Sequence, residues 1–465
     1  KERTYDIMLI VTDRTTTLSQ YTKFVVKTRP IFKNSLFVLH GNSDNTLKLG
    51  NIEVIGNKTE VRTDAYKAVF PNESNNPVAN CVGLGYNSYL NFDRNTGALS
   101  ESYSLCLFNR DGTAKIYNAF GLNEKFSYRS DYVLPDKQTT PFVYKQSVTT
   151  GDDSSDSYYQ CILSRDGRFY VGKSFMSFFV PGKDAADDPL HQTDYKITAA
   201  TIAERQYVLW DEKNNRFLYS SKINRYGYVE ETVRDDQNTF IGNPVLDASV
   251  DFTELEKAGI SPVGKQAVYA YIQYREDYES SSPLFLFKDK ESNKFYLYEL
   301  TSTEAGKDEK SISLLGDDNE GTDKPQAAYT ITGKELTGFN PGSNLSSIMY
   351  NSWFSTNYLY YAEGGYVYRY NTSNGDRSTI YSAPDGYTIS VMKFRATDSG
   401  GIKDDLGRYL SIGMNKGNEG AVAEILLTTA GDLDETVPTT FYTGFENIKD
   451  LQFAYIYYYK QLSNE

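Results

Sequence analysis

The stretch PLFLFKDKESNKFYLYELT, residues 283–301, decides the fold. It contains two short apolar runs separated by a polar turn. In the second run, Phe295 and Leu297 alternate with Tyr296 and Tyr298, and successive side chains of a strand point to opposite faces of its sheet. Apolar residues on both faces indicate a sheet that is packed between two neighbours, since a sheet with one solvated face would carry polar residues there.

The same pair of strands recurs along the whole chain. Seven pairs are found: SLFVLH/TLKLGNIEVI, SYSLCLFN/TAKIYNAF, YYQCILS/RFYVGKSF, QYVLWDE/RFLYSSKI, PLFLFKD/KFYLYELT, NYLYYAE/GYVYRYNT and RYLSIGM/GAVAEILLT. Several pairs are preceded or followed by further apolar strands, which makes units of four. Repeated units of four antiparallel strands are typical of a β-propeller, in which neighbouring blades cover each other's faces. The sequence therefore predicts an all-β protein with a propeller of about seven four-stranded blades.

The two ends of this repeat predict how the ring closes. The first unit lacks an inner strand before SLFVLH, and the chain finishes with an unpaired apolar strand, IKDLQFAYIYYYK, residues 448–460. Pairing of this strand with Leu36–Leu39 would complete the first blade and remove two exposed sheet edges. We therefore expect N- and C-terminal strands to close the propeller together.

The triplet Arg-Asp-Gly occurs twice, at residues 110–112 and 165–167, each time between the second and third strands of a unit. Asp-Gly supplies the positive φ angles of a tight hairpin, and the other units have Gly-, Asn- or Asp-rich segments at this point. The triplet is thus predicted to be a turn. The sharper alternative, the Asp-box of sialidase propellers, has a spacer residue and a Trp that Ser164–Gly167 lacks.

The first 30 residues precede the repeat and contain two predicted strands, around Tyr5–Thr12 and Tyr21–Val26. Two strands alone do not make a stable domain. We interpret residues 1–30 as the last strands of an immunoglobulin-like sandwich and residues 31–465 as the propeller domain.

Composition excludes some classes of partner. The chain has 465 residues, a net charge of −13, 40 Tyr, two Trp and two His. No basic stripe is present, so nucleic acid is not an expected partner. No apolar run has the roughly 18 residues that a membrane-spanning helix needs.

Cys81, Cys106 and Cys161 lie in apolar strands without metal-binding spacing, which favours buried free thiols.

Signatures of catalysis are scarce. His40 and His191 are the only histidines, and neither accompanies a nucleophile elbow or a zinc-protease motif. The chain has 61 Asp and Glu residues, so paired carboxylates at the mouth of the central channel would be one route to an enzyme. A propeller glycoside hydrolase or lyase that uses Asp and Glu is therefore the alternative hypothesis, and the chain is more simply interpreted as non-enzymatic.

Two acidic loops provide the oxygen ligands that calcium takes. In GDDNEGTD the candidate ligands are Asp317, Asp318 and Asp323, and GDDSSDS, residues 151–157, is similar. Neither loop has EF-hand spacing, and solvated loops are the simpler interpretation. Calcium is the one cofactor that these loops could hold, and no other cofactor is expected.

Two tryptophans are the candidate ligand-binding residues. Trp353 lies among polar residues in SSIMYNSWFSTN, and Trp210 ends a strand in YVLWDE. An exposed indole can stack on the C–H face of a sugar ring, although most such side chains fill the core between blades. Trp353 is the better candidate because polar residues flank it on both sides.

The strand YDIMLIVTD, residues 5–13, followed by NSLFVL, residues 34–39, and by Tyr-rich blades resembles the PKD-like family of Bacteroidetes surface lipoproteins. The resemblance implies export, a lipid anchor upstream of this chain, and a location at the outer membrane surface or in the periplasm. It also implies an association with glycan-uptake systems and a binding role. It carries no functional residue over to this sequence.

Taken together, these observations predict a non-enzymatic cell-surface binding or scaffold lipoprotein. Its expected partners are a glycan or another surface protein.

Overall fold

The structure is a computed structural model. It describes residues 3–28, 31–32, 35–55, 58–74, 76–92, 99–110, 114–128, 144–152, 155–164, 167, 169–173, 179–181, 196–203, 206–220, 245–248, 250–274, 281–302, 329–351, 353–354, 357–395 and 405–454. The described chain is all-β, with several small antiparallel sheets. Its two α-helices, Ala65–Val69 and Thr253–Lys257, have five residues each. No helix among the described residues is long and apolar enough to cross a membrane.

The N-terminal strands Arg3–Thr12 and Ser19–Thr28 form a two-stranded antiparallel ribbon. Its turn is held by Asp13, whose carboxylate accepts hydrogen bonds from the backbone N–H groups of Thr15 and Thr16. Residues 5–25 are all exposed, on both faces of the ribbon. The two predicted strands are therefore present, and their assignment to an immunoglobulin-like sandwich stays a prediction.

The other strands of the described residues form seven antiparallel sheets, numbered I to VII. Sheet I contains Ile448–Ala454, Ser35–His40, Lys48–Ile55 and Lys58–Arg62; sheet II contains Cys81–Phe92, Leu99–Asn109, Ala114–Asn118 and Glu124–Tyr128; sheet III contains Tyr144–Asp152, Ser155–Ser164, Phe169–Lys173 and Phe179–Pro181; sheet IV contains Ile197–Ala203, Gln206–Asp211, Arg216–Ser220 and Val245–Ala248. Sheet V contains Gln266–Tyr274, Ser281–Lys288, Phe295–Ser302 and Tyr329–Glu335; sheet VI contains Tyr358–Glu363, Tyr366–Asn371 and Arg377–Ser382; sheet VII contains Thr388–Phe394, Tyr409–Lys416, Glu419–Leu426 and Thr440–Glu446. Within each sheet the strands lie side by side in the order given.

Sheet I joins the two ends of the repeat. Its strand Ile448–Ala454 pairs antiparallel with Ser35–His40, placing Leu451 opposite Val38 and Phe453 opposite Leu36. These four side chains are buried in one core cluster. The predicted pairing of the last strand with the first unit is thus confirmed.

The first strands of neighbouring sheets contact one another in cyclic order. Contacts link sheet I to II, II to III, III to IV, IV to V, and VII back to I. Sheets V and VI meet where the Tyr269 hydroxyl accepts a hydrogen bond from the backbone N–H of Tyr350, at 3.0 Å. Sheets VI and VII are also in contact. The seven sheets therefore follow one another without a free end.

Sheets I, V, VI and VII bury apolar side chains on both faces. In strand Phe295–Ser302, Leu297 belongs to the core between sheets V and VI, whereas Tyr298 belongs to the core between sheets IV and V. The alternation read from residues 283–301 therefore corresponds to two separate cores. Further cores lie between sheets I and II, VI and VII, and VII and I.

Sheet VI differs from the predicted four strands. The segment before Tyr358–Glu363 makes a single β-bridge, between Met349 and Tyr360. It begins with a 3-10 turn at Leu345–Ser347. The Ser347 hydroxyl accepts the hydrogen bond from the backbone N–H of Ala362, at 3.0 Å. A side chain thus takes the place of a backbone carbonyl, and a regular fourth strand does not form there.

Both Arg-Asp-Gly triplets follow the second strand of their sheet. In sheet II the triplet lies between two strands whose pairing begins at Phe108 and Ala114. In sheet III it lies between two strands whose pairing begins at Leu163 and Phe169. Gly167 has a φ of 87°, the left-handed conformation that glycine adopts without strain. Four of the six triplet residues, Asp111, Gly112, Arg165 and Asp166, lie outside the described residues.

We expect the closing strand to contribute strongly to stability. Leu451 is fully buried, whereas Lys449 on the same strand is exposed. Leu451→Ala should lower the free energy of unfolding by about 2–5 kcal/mol, because it leaves a cavity in the core. The control Lys449→Ala should change it by less than about 0.5 kcal/mol. Urea unfolding of both variants measures the difference, and equal effects would contradict the docking of this strand.

Candidate functional site

Trp210 is a core residue. Its side chain is fully buried between sheets IV and V, with ring centroids 4.8 Å from Phe217 and 4.9 Å from Phe287. Trp210 lies near the end of its strand, where exposure was expected, but sheet V packs over it. The interpretation of Trp210 as a ligand-binding residue is therefore corrected, since its ring has no solvent-accessible face.

Trp353 is half-buried in the connection that leads into sheet VI. Its ring packs on Gly407, and the Arg408 guanidinium lies 5.7 Å from the ring centroid. The Asn351 side chain ties the two segments together: its amide donates to the Gly407 carbonyl at 2.7 Å, and its oxygen accepts from the Trp353 backbone N–H at 3.0 Å. Trp353 thus keeps some exposed surface while anchoring the segment of Gly407 and Arg408, and its role in binding stays a prediction.

A loop of sheet VII covers this end of sheets VI and VII. Its Asp434 accepts from Arg408 at 3.3 Å, and its Asp432 pairs with Arg369 at 2.8 Å. Arg369 in turn stacks on Tyr358, 4.5 Å from the ring centroid. The arginines beside Trp353 and Tyr358 are therefore engaged within the protein, and the arrangement mainly orders the loop.

The two tryptophans give a direct test of these placements. With excitation that tyrosine does not absorb, a Trp353→Phe variant reports only on the buried Trp210, and Trp210→Phe reports only on the half-buried Trp353. We expect the emission of Trp353 to be quenched by iodide and that of Trp210 to be protected. Trp210→Ala should cost about 3–5 kcal/mol of unfolding free energy and Trp353→Ala about 1–3 kcal/mol. Equal quenching of the two indoles would contradict the assignment.

A row of tyrosines emerges from the core on one face of sheet VI. Strand pairing places Tyr361 opposite Tyr368 and Glu363 opposite Tyr366, and Tyr370 opposite Arg377 on the third strand. Because side chains alternate along a strand, these residues share one face. We call Tyr361, Tyr366, Tyr368 and Arg377 the tyrosine face.

Exposure increases along the tyrosine face. Tyr361 is fully buried against Phe339 of the core between sheets V and VI, Tyr368 is half-buried, and Tyr366 is 50% exposed. The ring of Tyr368 lies 5.4 Å from that of Tyr361 and 6.2 Å from that of Tyr366, with interplanar angles of 34° and 35°. The rings form a continuous aromatic row from core to solvent.

Polar groups surround this row. The Arg377 guanidinium lies over the Tyr368 ring, 4.4 Å from its centroid, and donates to the Tyr361 hydroxyl at 3.4 Å. Its distance to the Glu363 carboxylate is 3.7 Å, and Glu363 also accepts from the Asn340 side chain at 3.2 Å. Arg377 is 41% exposed and Glu363 37%. Aromatic rings with a few oriented polar groups are the usual lining of ligand sites.

The last strand of sheet V, Tyr329–Glu335, carries side chains on the face that is turned towards sheet VI. Pairing places Thr332 opposite Glu299 and Lys334 opposite Leu297, and Leu297 belongs to the core that sheets V and VI share. Thr330 follows the same alternation, and these three side chains are exposed. The face of sheet V that is turned towards sheet VI therefore carries two exposed threonines and an exposed lysine on its last strand.

The tyrosine face is not among the candidates predicted from the sequence. The run YVYRY, residues 366–370, predicts a strand, and its period of two places three tyrosines on one face. The alternation could have predicted the row. It could not have predicted which tyrosine is exposed, because that depends on how far the neighbouring sheet extends over it.

His40 cannot act as a general base in this arrangement. Its ring is buried, with Nε2 2.7 Å from the Thr63 carbonyl and Nδ1 accepting from the Glu446 backbone N–H at 3.1 Å. A carbonyl only accepts, so Nε2 carries the proton. Burial lowers the pKa of His40 below its usual value, partly offset by the Thr63 carbonyl and the Glu446 carboxylate. The neutral ring thus joins sheet I to sheet VII.

This contact predicts a loss of stability in acid. The charged groups facing His40 are Glu446, Lys48 and Asp64. Because the pKa of His40 is lower in the folded than in the unfolded protein, its contribution is complete above about pH 6.5 and is lost as pH falls below that value and through the lower pKa of the folded state. Unfolding free energies measured by urea at about pH 8 and about pH 5.5 should fall more in the wild type than in His40→Gln. An equal fall in both proteins would contradict the prediction.

Two buried carboxylates form ion pairs within their own sheets. Glu424 of sheet VII accepts both Nε and Nη2 of Arg395, at 2.9 and 2.7 Å, as well as the Ser411 hydroxyl at 3.0 Å. Asp211 of sheet IV accepts from Arg216 at 3.0 Å. These carboxylates are saturated with donors, so their geometry is that of structural ion pairs.

The predicted calcium ligands and one of the two histidines lie outside the described residues. Asp317, Asp318, Asp323, His191 and the loop of residues 153–154 lie outside the described residues. Within the described part of the chain, no cluster of three or more His, Cys, Asp or Glu side chains could hold a metal ion. Calcium binding therefore stays a prediction.

The cysteines with described side chains are consistent with the predicted free thiols. Cys81 and Cys106 are both buried and unbridged. Burial raises the pKa of Cys81 to about 12, which keeps it protonated and unreactive.

No family model and no curated protein sequence matches the chain, so the PKD-like resemblance stays a prediction. Among solved structures, the chain is similar to one whose title describes PorZ as an essential bacterial surface component of the type-IX secretion system of human oral-microbiomic Porphyromonas gingivalis. The match has a TM-score of 0.43 and 9% identity, and covers 89% of this chain and 37% of that chain. It is too slight to assign a fold or a function.

Proposed function

We propose that the chain is a non-enzymatic binding or scaffold protein of the cell surface, and that its seven sheets are the blades of a β-propeller. The expected partner is a glycan or another surface protein. The observation that carries the proposal is the tyrosine face: stacked aromatic rings with an oriented arginine and carboxylate reach solvent from a rigid core.

The cyclic order of the sheets supports the propeller. A sheet with two apolar faces needs a neighbour on each side, and seven such sheets satisfy this condition when they are arranged around an axis. The pairing of Ile448–Ala454 with Ser35–His40 closes this arrangement. A closed ring of interlocked sheets holds its surface side chains in place, which favours binding because little ordering entropy is lost.

The described residues give more support to binding than to catalysis. His40 has both ring nitrogens engaged with backbone groups, and Glu424 and Asp211 are occupied by arginines. Tyrosine and arginine at a solvent-facing position are instead residues that contribute strongly to binding.

The proposed location follows the PKD-like resemblance. We place the chain at the outer membrane surface or in the periplasm, as part of a lipoprotein anchored upstream and associated with a glycan-uptake system. Residues 1–30 would then be the end of a preceding immunoglobulin-like domain. The net charge of −13 is consistent with a partner other than nucleic acid.

An array of host and plant glycans, probed with and without calcium, together with capture of proteins from outer-membrane extract, tests this function. Binding of a glycan that remains intact during prolonged incubation, or capture of one defined surface protein, is the expected result. Shortening of a bound glycan would establish the alternative, a propeller glycoside hydrolase or lyase. The absence of both glycan and protein binding would refute the proposed function.

A further inference from the structure

The tyrosine face presents two flat groups, the exposed Tyr366 ring and the Arg377 guanidinium, on which a ligand ring can stack. Tyr366 is 50% exposed on a regular strand, and the adjacent Tyr368 is covered by the planar Arg377 guanidinium at 4.4 Å. A ligand that lies along this row meets the Tyr366 ring and then the guanidinium plane. The pyranose ring of a sugar has a C–H face that fits such a flat, polarisable surface.

The hydrogen-bonding groups beside the row form a donor–acceptor pair. Arg377 presents several N–H donors, one of which reaches the Tyr361 hydroxyl, and Glu363 presents acceptor oxygens. Asn340 already donates to Glu363 and orients it. Two adjacent sugar hydroxyls can each accept from a guanidinium and donate to a carboxylate, so the pair suits a diol.

Charge favours an uncharged ligand. Arg377 and Glu363 lie 3.7 Å apart, so their charges largely cancel at the site. The chain as a whole carries a net charge of −13, which opposes the approach of a polyanion. A uronate or sulfate beside Glu363 would also meet a like charge. A neutral sugar incurs neither cost.

The surroundings also favour a sugar over a protein segment. The face of sheet V that is turned towards sheet VI carries exposed Thr330, Thr332 and Lys334, which are hydrogen-bonding side chains. Protein interfaces are built around a fully buried apolar centre with charges at the rim. Here a charged pair lies directly beside the exposed ring.

We infer that the tyrosine face of sheet VI is a binding site for neutral glycans, with Tyr366 as the stacking platform and Arg377 and Glu363 as the partners of vicinal hydroxyls. This inference rests on the proposed binding function and gives its ligand class.

The test measures binding of the full chain, by titration calorimetry, to neutral gluco-, xylo-, manno- and galacto-oligosaccharides and to uronate oligosaccharides. Tyr366→Ala should weaken binding of the neutral ligand about tenfold or more, as expected for a central contact residue. Tyr366→Phe should bind within about threefold of wild type, because stacking does not need the hydroxyl. Arg377→Gln should also weaken binding.

Two controls separate this site from general effects. Tyr21→Ala removes a tyrosine that is 66% exposed on the N-terminal ribbon and should leave binding unchanged. Thermal unfolding of each variant establishes that the fold is retained. Binding of a neutral ligand should vary little between about 0.1 M and about 1 M salt, whereas binding of a polyanion would change strongly.

Several outcomes would overturn the inference. These are preferential binding of uronate oligosaccharides, glycan binding that Tyr366→Ala and Arg377→Gln leave unchanged, and capture of a surface protein by a chain that binds no glycan. In each of these cases the proposed binding function survives. Absence of any glycan or protein partner would refute both.

Discussion

The structure depends on one constraint: sheets I, V, VI and VII, which have described cores on each side, are apolar on both faces. A sheet such as V, with Leu297 on one face and Tyr298 on the other, must have a neighbour on each side. Each neighbour has the same requirement, so the chain needs a cyclic arrangement in which the last sheet covers the first. The C-terminal strand meets this need by pairing within sheet I, which also removes two edges that could pair with other chains.

The same constraint explains where a binding surface can form. Where a neighbouring sheet covers a strand, its aromatic side chains fill a core, as Trp210 does. At the hairpin end of strand Tyr366–Asn371 the shared core of sheets V and VI ends, and the same alternation brings Tyr366 to solvent. The tyrosine face is therefore continuous with the core: Tyr361 is fixed by packing, and Tyr368 and Tyr366 extend from it. Such continuity gives an exposed ring a defined orientation without a separate supporting structure.

Polar groups join the sheets where apolar packing ends. His40 connects sheets I and VII through two backbone hydrogen bonds, and Asp450 of sheet I accepts from the Leu84 backbone N–H of sheet II at 2.8 Å. Within sheet VII, Glu424 is held by Arg395, which also lies over Phe453 of sheet I, 5.1 Å from the ring centroid. These groups are satisfied by partners within the protein, so they fix how the sheets meet.

The sequence by itself determined the strands, their grouping and the closing pair, because a period of two in apolar residues and Gly- or Asn-rich turns act locally. It favoured Trp353 over Trp210 from the flanking polar residues, but it could not show that Trp210 is fully buried, because that depends on the packing of sheet V over it. Nor could it predict the missing strand of sheet VI, where the Ser347 hydroxyl replaces a backbone acceptor. From the sequence, the tyrosine face could be predicted only as an alternation of tyrosines along a strand. The exposure of Tyr366 and the Arg377–Glu363 pair arise from tertiary structure, because they depend on where sheets V and VI cease to cover each other.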